Sequence, residues 1–162
     1  MVAQLKMKMR QVVARNIDMA LEKLIRQGPD NAPEIVVDIS RNYINDVDCC
    51  ELSNKLAEQQ KIDASKVKVL CAAVNDLTDL PRFPSSCFPN LREIHLNHNK
   101  MLKLASPALV ETCPNLEVLM LNNNKIHDLQ SVLIAVKGLA KLRMLSCSAN
   151  KLTEINTFVD LP

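Results

Sequence analysis

Residues 116–126 read LEVLMLNNNKI, with apolar side chains at the first, fourth, sixth and eleventh positions and asparagine at the ninth. The same frame recurs as LREIHLNHNKM at 91–101, LRMLSCSANKL at 142–152 and VKVLCAAVNDL at 67–77, and in weaker form as EIVVDISRNYI at 34–44. Its asparagines, spaced 33, 24, 25 and 26 residues apart, are Asn42, Asn75, Asn99, Asn124 and Asn150. A frame that recurs at this spacing predicts a solenoid in which each repeat adds one strand to a continuous sheet.

The frame resembles the leucine-rich repeat, L-x-x-L-x-L-x-x-N-x-L. The resemblance implies an α/β solenoid of about five repeats with a parallel sheet on its concave side. We predict a single domain over residues 1–162, in which 1–30 cap the N-terminal end and 31–162 form the repeats. The five asparagines are predicted to be structural, because a side-chain amide can satisfy backbone groups at the bend after each strand.

The segments between the frames predict how the chain returns to the next strand. Residues 46–60 are expected to form a helix, which accounts for the long first repeat, with its apolar face formed by Val47, Cys50, Leu52, Leu56 and Ala57. Prolines at 81, 84 and 89 oppose a helix in the second return. The third and fourth returns, around 106–112 and 129–136, are predicted to be helical.

Both ends of a solenoid need cover for their apolar layers. Residues 4–27 have apolar side chains at helical spacing, which predicts an amphipathic capping helix that ends at Gly28 and Pro29. At the other end the sequence stops ten residues after the fifth frame, so we expect a C-terminal cap to be missing. This edge is then expected to be covered by another domain, a partner or a second copy of the chain.

The composition narrows the class of protein. The chain is 48% hydrophobic but only 2% aromatic, which fits an aliphatic, repetitive core. Apolar runs are far shorter than the ~20 residues of a membrane span, and Lys6, Lys8 and Arg10 interrupt the start where a signal peptide needs an apolar stretch. We predict a nuclear or cytoplasmic protein that is not secreted and does not enter a membrane. In such a reducing compartment its six cysteines are expected to be free thiols, with Cys113 and Cys147 in the core.

Side chains at the third, fifth and seventh positions of the frame are predicted to point out from the concave face. In repeat order, the third positions are Val36, Val69, Glu93, Val118 and Met144, the fifth are Asp38, Cys71, His95, Met120 and Ser146, and the seventh are Ser40, Ala73, Asn97, Asn122 and Ser148. Four of the five third-position residues are apolar, on a surface that is usually polar. This apolar track predicts a binding site for the apolar face of a helix or for an extended peptide. The alternative is a set of scattered surface hydrophobes with no role.

Basic residues form a second candidate surface. Lysine follows three of the asparagines, so Lys100, Lys125 and Lys151 are expected to line one rim, and the N-terminal segment adds Lys6, Lys8, Arg10 and Arg15. Together they could contact the phosphate backbone of RNA, although a solvated surface is the simpler interpretation. One tyrosine and no tryptophan leave little for base stacking, which disfavours sequence-specific reading of RNA.

Catalysis finds little support in the residues. His95 and His98 share a repeat with Glu93, but no fourth ligand follows at a metal-binding spacing. The chain's two glycines, Gly28 and Gly138, form no phosphate-binding loop. We therefore predict a protein that is not an enzyme and uses no metal or cofactor.

Two intracellular groups of leucine-rich-repeat proteins share further motifs with this chain. CPNLEVLMLNNNKIHDL at 113–129 resembles the repeats of the acidic nuclear phosphoproteins and of the spliceosomal A-prime protein. FPNL at 88–91, PNL at 114–116 and KGL at 137–139 resemble the repeat domain of the nuclear RNA export factors, the Tap family. These resemblances imply a binding module of RNA-handling complexes, and the spliceosomal relative accepts a partner helix on its concave face.

We therefore expect an adaptor that binds a partner helix or peptide on its concave face, within a nuclear RNA-containing complex. The alternative is an RNA-binding repeat module, or a fragment of an mRNA-export-factor-like protein, that uses the basic N-terminal helix and the lysine rim.

Overall fold

A computed structural model describes residues 25–27, 33–81, 87–104 and 109–153. Within these ranges six strands follow one another across one sheet in chain order: β1, Ile25–Gln27; β2, Pro33–Asp38; β3, Val67–Cys71; β4, Glu93–His95; β5, Val118–Met120; and β6, Met144–Ser146. Strands β2 to β6 are parallel, with one strand from each repeat. The predicted α/β solenoid of five repeats is confirmed.

The return segments carry the helices. They are α1, Cys49–Gln60; α2, Leu109–Thr112; and α3, Leu129–Val136, and a 3₁₀ turn at Ala64–Lys66 precedes β3. The helices predicted in the first, third and fourth returns are thus confirmed, and the described parts of the second return, 79–81 and 87–90, contain no helix. Aspartates cap the two longer helices: Asp48 accepts the backbone N–H of Cys50, and Asp128 accepts that of Ser131.

The buried face of α1 differs from the prediction. Cys49, Leu52 and Leu56 are fully buried, whereas Cys50 is only half-buried and Ala57 is exposed. The Asp48 cap fixes where the helix begins and therefore which side chains point inward. Positions 49, 52 and 56 share one face of a helix that starts at Cys49.

The N-terminal cap also differs from the prediction. Residues 25–27, expected to be the last turn of a capping helix over 4–27, form β1, which pairs antiparallel with β2 through Ile25 opposite Ile35. The backbone groups along the outer edge of β2 need partners, and a paired strand supplies them where a helix cannot. The remainder of the predicted helix lies outside the described residues.

An aliphatic core lies between the sheet and the convex returns. The inward apolar residues of the frame are buried in the first four repeats, with Leu70, Ile94 and Leu119 fully buried. In the fifth repeat Leu145 and Cys147 are only half-buried. The prediction of a core position for Cys113 is confirmed, but Cys147 is less covered than expected because β6 is the last strand in the described part of the sheet.

Four asparagines tie each repeat to the one before it. The Nδ2 atoms of Asn75, Asn99, Asn124 and Asn150 each donate to one carbonyl of their own repeat and one of the preceding repeat at 2.8–3.1 Å, and lie 3.3–3.4 Å from a second carbonyl of their own repeat. Each Oδ1 accepts a backbone N–H of the preceding repeat at 3.0–3.2 Å. In the first repeat Asn42 donates instead to Ser40 of its own bend, at 2.8 Å. The amides of the middle repeats thus take the place of water at bends that water cannot reach.

Replacing Asn124 with alanine is expected to lower the free energy of unfolding by about 2–3 kcal/mol, because it leaves the buried N–H of Met101 without an acceptor. Asn150 makes the same set of bonds but is half-buried, so water can replace its amide in Asn150→Ala at a cost of about 1 kcal/mol. Urea denaturation followed by circular dichroism measures both values. Equal losses in the two variants would show that burial of the amide is not what makes the ladder stabilising.

The residue before each asparagine has a left-handed backbone. The φ angles lie between 54° and 63° at Arg41, Val74, His98, Asn123 and Ala149. This conformation turns the chain out of the strand, and asparagine adopts it more readily than a β-branched residue does. Val74 is 45% exposed, so its packing does little to offset this cost.

We expect Val74→Asn to raise the free energy of unfolding by about 1 kcal/mol, because asparagine relieves the strain of the left-handed backbone. The reverse substitution at the equivalent position, Asn123→Val, should lower it by a similar amount. Denaturation midpoints of the two variants test the pair. If both substitutions shift stability in the same direction, backbone conformation is not the cause.

Candidate functional site

The outward columns of the frame become continuous rows in the sheet. One row pairs residues strand by strand from β2 to β6 as Val36, Val69, Glu93, Val118 and Met144, and the next pairs Asp38, Cys71, His95, Met120 and Ser146. Neighbouring strands are about 4.8 Å apart, so each row crosses the concave face as a line of adjacent side chains.

The first row is less open than the frame predicts. Val69 is 1% exposed and Val118 is 6% exposed, although neither belongs to the core on the other side of the sheet. Each lies between two neighbours in the row, and Val118 has the longer side chains of Glu93 and Met144 on either side. The expectation of an accessible valine at 69 and 118 is therefore wrong, because a short side chain is covered where a concave sheet crowds its neighbours together.

An apolar surface nevertheless remains on the concave face. Met144 is 48% exposed, and Val36, Cys71 and Met120 are half-buried. These four residues, here called the concave apolar surface, come from β2, β3, β5 and β6. They lie in two groups, one on each side of β4.

A polar pair on β4 separates the two groups. The Nε2 atom of His95 lies 3.0 Å from Oε2 of Glu93, which places an imidazole N–H against the carboxylate. Both side chains are partly exposed. His98 lies apart from them, exposed on the bend after the strand. Among the described residues, no three His, Cys, Asp or Glu side chains are grouped so that they could hold a metal ion.

The seventh positions form a second hydrogen-bond ladder that the sequence analysis missed. The Oγ of Ser40 accepts the N–H of Ala73 at 3.0 Å, Oδ1 of Asn97 accepts that of Asn122 at 2.8 Å, and Oδ1 of Asn122 accepts that of Ser148 at 2.8 Å. Ala73 interrupts the ladder because its methyl group has no acceptor. Asn97 and Asn122, expected to contact a partner, therefore already join repeats. The recurrence of serine and asparagine at this position is the signal that could have revealed it.

The lysines after the asparagines are aligned along one rim. The backbone N–H groups of Lys100, Lys125 and Lys151 each donate to a carbonyl of the preceding repeat at 2.8–2.9 Å, and all three side chains are exposed. Nζ of Lys100 lies 2.8 Å from Oδ1 of Asp76, an ion pair that offsets its charge. Lys6, Lys8, Arg10 and Arg15 lie outside the described residues.

Known proteins share the repeat and the geometry described above. Residues 113–160 match the family model described as Leucine Rich repeats, two copies. Among solved structures, the chain is similar to one in the crystal structure of the Drosophila melanogaster SNF/U2A′ complex, with a TM-score of 0.63 and 21% identity over 83% of this chain and 68% of that chain. The fold is the leucine-rich-repeat solenoid. At this identity the structural likeness shows the fold alone.

Two curated relatives match part of this leucine-rich-repeat chain. It is 35% identical over 80 residues to fibromodulin of Sus scrofa and to fibromodulin of Oryctolagus cuniculus. The match covers 49% of this chain and 52% of each fibromodulin sequence, so the chain spans about half the length of these relatives. Across the described ranges, every helix of the solenoid is too short or too polar to span a membrane.

The difference in burial along the first concave row predicts a difference in stability. Val118→Asp places a carboxylate where almost no water reaches, so we expect the free energy of unfolding to fall by about 3 kcal/mol or more. Met144→Asp, in the same row but half-exposed, should change it by less than about 1 kcal/mol. Urea denaturation of both variants distinguishes them. A Val118→Asp variant as stable as wild type would mean that Val118 is accessible after all.

Proposed function

We propose that this leucine-rich-repeat solenoid is a protein-binding adaptor that receives a helix or an extended peptide of a partner on its concave face. The concave apolar surface is the observation that supports this proposal. Apolar side chains in the concave row are exposed to water on a surface that usually carries polar residues, and apolar patches of this kind are typical of interaction sites.

The spacing of the strands favours a helix as the bound segment. Four strand spacings separate β2 from β6, which gives a length of about 19 Å across the concave face. A helix rises 5.4 Å per turn and would cover that length with about 13 residues. Side chains three and four residues apart on a partner helix therefore match successive strands of the sheet.

The polar pair at the centre constrains the chemistry of the partner. Glu93 and His95 divide the concave apolar surface, so a bound helix should carry apolar residues at both ends of its contact face. Opposite Glu93 we expect a hydrogen-bond donor, because a carboxylate can accept several hydrogen bonds and a donor would add to the one from His95, whereas an apolar side chain would only exclude water from it. An arrangement of this kind would favour one helix over others.

We also propose that this adaptor acts in a nuclear RNA-containing complex. The similar solved structure is described as a complex, SNF/U2A′, and residues 113–129 resemble the repeats of nuclear proteins. Neither finding identifies the partner of this chain. The structural likeness supplies the fold, and the concave residues supply the binding hypothesis.

The proposal is tested by capturing partners from cell extract at low and high salt, and then titrating the purified partner segment by calorimetry. The Met120→Asp, Met144→Asp double variant should bind at least about tenfold more weakly, because it introduces charge into an apolar contact. Binding by wild type should persist at high salt, since burial of apolar surface is little screened. Ile134→Asp is the matched control, because Ile134 is 52% exposed on the convex helix α3 and should leave binding unchanged.

A different result would favour the RNA-binding alternative. Lys125 and Lys151 are aligned and exposed, and no carboxylate among the described residues is paired with either. If the retained material is RNA that elutes with salt, ignores the methionine substitutions and is lost with Lys125→Glu and Lys151→Glu, the adaptor proposal fails.

A further inference from the structure

Two cysteines of different repeats meet on the convex side of the solenoid. Cys50 is the second residue of α1, and Cys87 lies in the second return, 37 residues later. Their Sγ atoms are 2.6 Å apart, and both residues carry free thiols. Cys50 is half-buried, whereas Cys87 is 4% exposed.

We propose that Cys50 and Cys87 are a modification site, at which a low-molecular-weight disulfide such as glutathione disulfide converts the two thiols into a reversible disulfide bond. A disulfide bond is about 2.05 Å long, so the two sulfur atoms have to approach by only about 0.5 Å. The carboxylate of Asp48 holds the backbone N–H of Cys50 at 2.9 Å and so fixes the start of α1 that carries this thiol.

The difference in exposure sets the order of the exchange steps. The thiolate of Cys50 attacks one sulfur of glutathione disulfide, whose S–S bond breaks to release one glutathione thiolate. The Cys87 sulfur then attacks the Cys50 sulfur and displaces the second glutathione, and the departing glutathione thiolate takes up the Cys87 proton. The two protein thiols lose two protons and two electrons in total, and glutathione disulfide takes them up to become two glutathione thiols.

Burial controls the reactivity of the thiols around this pair. Burial, followed by the hydrogen bond and charge of Cys50 and the charge of Asp48, raises the pKa of Cys87 to about 12. Burial also raises the pKa of Cys113 to about 11 and that of Cys49 well above its ordinary value. These three thiols are therefore protonated at neutral pH and react slowly with an external disulfide. Contact with Cys50 is what allows Cys87 to complete the exchange.

The bond would link the helix of the first repeat to the return of the second. The disulfide bond closes a loop of 37 residues. A cross-link of this length lowers the conformational entropy of the unfolded chain enough to raise Tm by about 10 °C. The concave apolar surface lies on the opposite side of the sheet, so binding there is not expected to depend on the state of the thiols.

The test uses the purified wild-type chain, incubated with glutathione disulfide, quenched in acid and alkylated. Intact mass spectrometry should show the loss of two hydrogen atoms, and fragmentation of the non-reduced peptides should place the cross-link between Cys50 and Cys87. Tm should rise by about 10 °C and return to its starting value with dithiothreitol. A chain that keeps six thiols, carries only glutathione on Cys50, or forms its cross-link through Cys49 or Cys113 overturns the proposal.

Matched variants separate this pair from the other cysteines. Cys50→Ser should form no cross-link and show no rise in Tm, and Cys87→Ala should do the same as a second variant of the pair. Cys147→Ser, at a half-buried cysteine of the fifth repeat, should oxidise like wild type. A rise in Tm that persists in Cys50→Ser contradicts the assignment. The Met120→Asp, Met144→Asp variant should also oxidise normally, so failure of the adaptor proposal and failure of this one are independent results.

Discussion

The structure depends on satisfying backbone groups at the bends that follow the strands. In the middle repeats each bend carries N–H and C=O groups into the interior between two repeats, where water cannot reach them. An asparagine amide has a donor and an acceptor on one short side chain, so Asn99 can serve carbonyls of its own and the preceding repeat while accepting the N–H of Leu77. Each repeat is thereby fixed to its neighbour, and the register of the sheet follows from this attachment.

Because the register of the sheet is fixed, the repeated sequence frame produces a regular surface on the concave face. Residues at the same position of successive repeats become neighbours on the concave face, so the length and polarity of each side chain decide what its neighbours expose. Val118 is buried, whereas Met144 in the same row is half-exposed. The side chain of Asn122 already accepts the backbone N–H of Ser148 from the following repeat. Among the side chains that remain accessible is an apolar surface divided by Glu93 and His95, and this arrangement is the basis of the proposed adaptor function.

The two faces of the solenoid carry different chemistry. The concave side carries the concave apolar surface, divided by Glu93 and His95, whereas the convex side brings the sulfur atoms of Cys50 and Cys87 into contact. The returns differ from repeat to repeat in length and composition, which is why such a pair can arise there. The strands follow a common frame, so side chains at equivalent positions form regular rows across the concave face.

The sequence by itself determined the features that depend on periodicity. The frame identified the core positions of the first four repeats, the concave rows and the helix over 129–136, because these follow from spacing along the chain. It did not predict β1, since Ile25 follows helical spacing and only the open edge of β2 makes a strand the better partner. The burial of Val69 and the pairing of Lys100 with Asp76 were also decided by tertiary structure. Contacts of this kind join residues of different repeats. The distances between these residues and the burial of their side chains are therefore defined only when the repeats stack.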